Sequence, residues 1–128
     1  MQTIYATFKY DDAVAGIDFL ERAFGFERHA VHERDGGLIA HAELRFGDDV
    51  VMLGSVGAGD PRFDRNAGHA SVYLAVDDVD ALHHRAAAAG AEMVRPLTDQ
   101  DYGSREFSAS DPEGNIWSFG TYRPQLDA

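Results

Sequence analysis

The chain contains no cysteine, so it has neither a disulfide nor a thiolate with which to hold a metal. It is short of positive charge. Its 11 lysines and arginines stand against 22 aspartates and glutamates, a formal net charge of −11 over 128 residues. Binding to phosphate backbones needs a basic surface, so nucleic acid is not expected as a partner, whereas a cationic small molecule would be attracted. No apolar run approaches the ~18 residues that span a bilayer, so no membrane partner is expected. The N-terminal MQTIYATFKYDD has neither the basic nor the apolar region of a signal peptide. A cysteine-free composition suits a reducing compartment, and a cytoplasmic location is expected. No phosphate-cradling glycine loop, nucleophile elbow or dinucleotide-binding glycine pattern occurs.

What is present is a repeat. In DDAVAGIDFLERAFGF, Asp12 can cap a helix, Val14, Ile17, Phe24 and either Phe19 or Leu20 recur at helical spacing, and Gly25 sits where a helix ends. In DDVDALHHRAAAAG, Asp77 can cap, Val79, Leu82, Ala86 and Ala89 form the stripe, and Gly90 ends it. A shift that carries Asp12 onto Asp77 also carries Val14 onto Val79, Ile17 onto Leu82 and Gly25 onto Gly90. Each helix follows a strand, IYATFKY or ASVYLAV, and precedes further strand-like segments. The chain therefore reads as βαβββ twice: module one over about 1–54, a Gly/Pro/Asp-rich linker at 55–68, module two over 69–122, and a short tail. The expected fold is a single α+β domain of residues 1–128. Its tandem modules form a curved mixed sheet around a cleft, with the helices on the outer face.

Alternation assigns the faces. Ala6 and Phe8 should meet the first helix, leaving Tyr5, Thr7 and Lys9 inward, with Lys9 and Arg45 towards the ends of the site. In LIAHAELRF, Ala40, Ala42, Leu44 and Phe46 share the covered side, and His41, Glu43 and Arg45 share the open one. Val72, Leu74 and Val76 cover the second helix, leaving Ser71 and Tyr73 open. The hairpin REFSASDPEGNIWSF, turning at Asp111-Pro112-Glu113-Gly114-Asn115, sends Glu106, Ser108 and Ser118 inward and Trp117 into the core. His29 and His32, three apart on an early strand, fall on opposite faces and are assigned no role. With Met52 as an apolar wall and Tyr102 at the rim, the open side presents the mixture of aromatic and polar groups that small-molecule sites use.

The repeat, the Asp-Pro-Glu-Gly-Asn turn and the two helices together resemble the vicinal oxygen chelate superfamily, which includes glyoxalase I, extradiol dioxygenases and bleomycin-resistance proteins. AHAELRFGDDVVMLGS is similar to its PhnB-like branch, and YGSREFSASDPEGNIWSF to bleomycin-binding proteins. The resemblance implies a divalent-metal site built from one residue on each of four strands. By position these are Tyr5, Met52, Ser71 and Ser118, which lack the imidazole and carboxylate donors such a metal needs. No metal and no cofactor are therefore expected. The resemblance implies a metal-free protein that sequesters an aromatic or cationic natural product and forms a homodimer. Its candidate ligand-binding residues are Tyr5, His41, Glu43, Met52, Ser71, Tyr73, Tyr102, Glu106, Ser108 and Ser118. The alternative is an enzyme of the same superfamily, of lyase, isomerase or dioxygenase type. It would use either a displaced metal on His41, Glu43 and His69 or acid–base chemistry on His41 and Glu43.

Overall fold

A computed structural model describes residues 1–126 of the chain. Its strands form two four-stranded sheets. In the first, β1 (Thr7–Tyr10), β2 (Glu27–Arg34), β3 (Leu38–Phe46) and β4 (Asp49–Ser55) lie in the order β1-β4-β3-β2. In the second, β5 (Ser71–Ala75), β6 (Glu92–Asp99), β7 (Arg105–Ser110) and β8 (Ile116–Gly120) repeat the order as β5-β8-β7-β6. The leading strand of each module runs parallel to the last one, and the other pairs are antiparallel. This is the expected α+β tandem repeat, with two mixed sheets in place of one continuous sheet. Between β4 and β5, Pro61–Asn66 coil into a 3₁₀ helix capped by Asp60, which accepts the Arg62 amide.

The helices begin and end for local reasons. The carboxylate of Asp12 accepts the Ala15 amide at 3.1 Å and starts α1 (Ala13–Phe19). The start of α2 (Val79–Ala88) corrects the sequence reading: Asp78, not Asp77, is the cap, accepting the Ala81 amide at 3.0 Å. Gly25 and Gly90 close the two helices at φ 81° and 83°, the left-handed conformation that glycine adopts without strain. One residue more separates Asp12 from Gly25 than Asp78 from Gly90, and a π turn, Leu20–Phe24, takes it up. The buried stripe of α1 begins at Ala13 and runs through Ile17, Leu20 and Phe24. Val14, expected within it, is exposed.

Two bulges between β2 and β3 alter the faces. His29 is the extra residue on β2 between the pairs Arg28–Leu44 and Ala30–Glu43, and Ala40 is the extra residue on β3 between His32–His41 and Glu33–Ile39. A bulge flips the alternation beyond it. Ala40 is therefore exposed, Ile39 takes its expected place in the core, and His32 lies across from His41.

The helix-bearing sides of both sheets share one core. Phe8 stacks on Trp117 with centroids 4.7 Å apart, Phe24 meets Phe119 at 4.8 Å, and Phe26 meets Trp117 at 5.4 Å. Arg85 of α2 donates to the carbonyls of Glu21 (2.9 Å) and Arg22 (3.0 Å) in the π turn, the end of a helix where positive charge is favoured. The Asp-Pro-Glu-Gly-Asn turn supplies the polar tie. Asp111 is buried, and its Oδ2 accepts from Tyr10 Oη (2.7 Å), Asn115 Nδ2 (3.0 Å) and Trp117 Nε1 (3.1 Å), while Oδ1 accepts the amides of Glu113 (3.0 Å) and Asn115 (3.1 Å). The Glu113 carboxylate accepts the amides of Asp11 (2.6 Å) and Asp12 (2.7 Å) at the entrance to α1. The turn thus fastens module two to module one as well as joining β7 to β8.

This junction decides which way the open faces look. Successive side chains of a strand point to opposite sides. With Phe8 packed on Trp117, Thr7 and Lys9 of β1 and Ser118 of β8 turn away from the junction, each on its own module's side.

Candidate functional site

The candidate residues divide between the two open faces. Tyr5, His41, Glu43 and Met52 belong to module one, and Ser71, Tyr73, Tyr102, Glu106, Ser108 and Ser118 to module two.

On module one, β1, β3 and β4 floor a cleft of about 260 Å³ that the 3₁₀ helix of the linker walls in. Thr7, Lys9, His41, Met52, Phe63 and Asn66 line it. Gly54 lies opposite Lys9 in the β1–β4 register, where a Cβ would press on the Ala40 and Ile39 carbonyl oxygens at 3.1 and 3.3 Å and stand in ordinary contact, 3.5 Å, with Lys9 Nζ. Sequence reasoning placed Lys9 near the end of the site and treated Phe63 and Asn66 as linker. Lys9 is part of the lining, because the cleft follows β1 to its end. Phe63 and Asn66 enter through the folding of a segment whose composition signals only a loop.

Across from Met52 and on the same open face, Glu43 stands between two histidines. His41 Nε2 lies 2.9 Å from Oε2, and His29 Nε2 3.8 Å from Oε1. An ionised carboxylate only accepts, so the proton of His41 is on Nε2. That hydrogen bond, aided by the nearby histidines, holds the Glu43 carboxyl below its ordinary value. The rings of His32 and His41 lie face to face with centroids 6.3 Å apart. His29 and His32, given no role from the sequence, join this group through the bulge at His29, which nothing in the local composition announces. Tyr5 precedes β1 and is 40 % exposed, and its hydroxyl donates to the Gln2 carbonyl at 3.1 Å.

On module two, Glu106 is a buried carboxylate fenced by phenols. Tyr102 Oη donates to its Oε1 at 2.7 Å, and the ring of Tyr102 meets that of Tyr122 edge-on at 6.1 Å. Tyr73 Oη donates to the Tyr122 carbonyl at 2.8 Å. Gly120 lets this group assemble, since a Cβ there would lie 2.5 Å from Glu106 Cγ and 2.7 Å from Tyr73 Oη. The hydrogen bond to Glu106 raises the Tyr102 phenol above its ordinary pKa, and burial raises that of Tyr73. Ser108 and Ser118, paired across β7 and β8, share a hydrogen bond of 2.7 Å, and Ser71 is exposed at the start of β5.

The positions implied for a family metal do not fit one. Tyr5 and Ser118 spend their hydroxyls on protein partners, Met52 offers a thioether that suits only soft ions, and Ser71 adds a neutral hydroxyl. Among the described residues no group of three or more His, Cys, Asp or Glu side chains is arranged to hold a metal ion. No helix among the described residues is long and apolar enough to cross a membrane.

The sequence profile of the Glyoxalase/Bleomycin resistance protein/Dioxygenase superfamily matches residues 5–119. An uncharacterised Mycobacterium bovis protein, Mb0911c, is 39 % identical over 117 residues, covering 86 % of this chain and 76 % of its own. The crystal structure of TioX from Micromonospora sp. ML1 superposes with a TM-score of 0.79 at 33 % identity, covering 94 % of this chain and 98 % of TioX. A glyoxalase/bleomycin resistance protein from Catenulispora acidiphila DSM 44928 shares the fold at 21 % identity, with a TM-score of 0.69 over 94 % of this chain and 97 % of its own.

Proposed function

The chain belongs to the glyoxalase/bleomycin resistance protein/dioxygenase superfamily, also called the vicinal oxygen chelate superfamily, and within it we propose a metal-free small-molecule binding protein that sequesters a planar aromatic compound bearing a positive charge. One observation carries the reading: Glu106, a buried carboxylate, is surrounded by the half-exposed faces of Tyr73, Tyr102 and Tyr122. Aromatic faces attract planar rings and cations, and a desolvated carboxylate supplies the counter-charge.

The partner proposed for assembly is a second copy of the chain. Each open face is half of a concavity and looks away from the junction, so a homodimer that sets module one of one copy against module two of the other would enclose a guest. Light scattering should give twice the 14.0 kDa chain mass, and the chain mass alone would remove this part of the proposal. A cytoplasmic location is proposed from the cysteine-free composition, and cell fractionation tests it.

Calorimetric titration with 9-aminoacridine, a planar aromatic cation, tests the binding reading. Binding should weaken by about 1–3 kcal/mol in Glu106→Gln and fall also in Tyr73→Ala. Binding that neither change alters, or no binding by this probe or other planar cations, would refute it. A second reading, acid–base catalysis, is favoured by the 2.9 Å contact that orients His41 on the cleft wall. A compound that enters the cleft and emerges chemically altered, with His41→Ala abolishing the change, would decide for it.

A further inference from the structure

The chain has a single lysine, Lys9, and the fold places it in the module-one cleft. None of the residues that line this cleft is an aspartate or glutamate, although the chain carries 22 of them. Among the described residues, Lys9 Nζ has no hydrogen-bond or ion-pair partner, whereas Arg28, Arg62 and Arg105 are each paired with carboxylates. Lys9 is half-buried, and its ammonium lies over Gly54 on the floor of the cleft. The other polar groups of the lining are the Thr7 hydroxyl, the His41 imidazole and the Asn66 amide. Met52 and Phe63 supply apolar surface, and Phe63 is 66 % exposed at the lip. Within this lining Lys9 is the one side chain of fixed charge, while the Glu43 carboxylate stands just outside it, across from Met52 and hydrogen-bonded to His41. A half-desolvated ammonium with no counter-ion attracts an anionic oxygen.

We infer that the module-one cleft is a subsite for the carboxylate end of a planar aromatic compound, with Lys9 as the residue that selects it. The apolar ring lies against Met52 and Phe63, and the carboxylate meets Lys9 Nζ. The cleft of about 260 Å³ falls just below the roughly 300–1,000 Å³ of pockets that hold drug-sized molecules. It therefore suits a one- or two-ring acid. The inference rests on the reading of the protein as a small-molecule binder but not on the Glu106 group, so the two halves can fail separately. The expected cationic guest then belongs to module two alone.

The test uses 2-naphthoate and 2-naphthylmethylamine on the full chain. Reductive ¹³C-methylation labels only Lys9 and the N-terminus, so the lysine's methyl resonance reports binding at this site directly. With 2-naphthoate the Lys9 resonance should shift, and calorimetry on unlabelled protein should show affinity falling at least ten-fold in Lys9→Met and returning in Lys9→Arg. The amine should not shift the Lys9 resonance. No naphthoate binding at millimolar concentration would overturn the inference, and so would equal affinity in wild type and Lys9→Met, or an amine that binds at Lys9 as well as the acid. Loss of 9-aminoacridine binding in Glu106→Gln, alongside naphthoate binding indifferent to Lys9, would leave the proposed function standing and remove only this subsite.

Discussion

Replacing Asp111 by alanine should remove a large share of the protein's stability, although Asp111 touches neither open face. The carboxylate satisfies Tyr10 Oη, Trp117 Nε1 and Asn115 Nδ2, and these three side chains are at most 1 % exposed. A buried donor left unsatisfied costs ~1–3 kcal/mol, which puts the sum at about 3–9 kcal/mol before relaxation. Removing the carboxylate also removes its own desolvation penalty, and Asn115 can rearrange within a turn, so we expect about 3–4 kcal/mol, the low end of that range. Against a total stability of roughly 5–15 kcal/mol, that is a large share. Trp117 is the only tryptophan and lies in the affected network, so urea titration followed by its fluorescence reads the change directly. With a slope of roughly 1–3 kcal/mol per molar urea, the midpoint should fall by about 2 M. Protomer concentration must be held constant, because any dimerisation adds to apparent stability. Tyr10→Phe is the control: it withdraws one donor and leaves the carboxylate with its others, and should cost about 1 kcal/mol. If Asp111→Ala costs no more than Tyr10→Phe, the turn is a connector only and the tie between modules has been misread.

Gly16→Ala should destabilise, by about 1–3 kcal/mol, where a helix-interior glycine-to-alanine change ordinarily gains ~0.5–1 kcal/mol. The new Cβ would lie 2.9 Å from the Tyr10 ring, which Asp111 holds in place, and thermal melting checks the sign. Alkali should weaken the fold. Burial first, then the Asp111 charge and hydrogen bond, raises the Tyr10 pKa far above its unfolded value. The folded state therefore keeps a proton that the unfolded state releases, and stability is full below pH ~10 and declines as pH rises beyond it. Urea midpoints at pH 9 and pH 11 should show a smaller decline in Tyr10→Phe than in wild type, and equal declines would refute the assignment.

Much of the fold was legible along the chain because it depends on near neighbours. A carboxylate three residues ahead of an amide caps a helix, so Asp12 was readable. The closing glycines were readable because positive φ is a property of a single residue, and the inward Glu106, Ser108 and Ser118 because alternation holds on an unbulged hairpin. Where the pattern offered two adjacent aspartates, 77 and 78, only packing chose between them: Val79 at the first helical position is buried, and that sets the register. The bulges at His29 and Ala40 lie where no glycine or proline marks them. They follow from fitting β2 against β3 while keeping Ile39, Ala42 and Leu44 in one core, a demand that comes from the other side of the sheet. Lys9 and the linker's Phe63 and Asn66 entered the site in the same way, through contacts between segments some 50 residues apart. The sequence by itself determined the repeat, the caps and the chemistry available on each strand, all consequences of spacing within a few residues. Tertiary structure decided which of those groups meet. The Phe8–Trp117 stack turns the two open faces away from their junction, and long-range packing of that kind leaves no periodic trace in the chain.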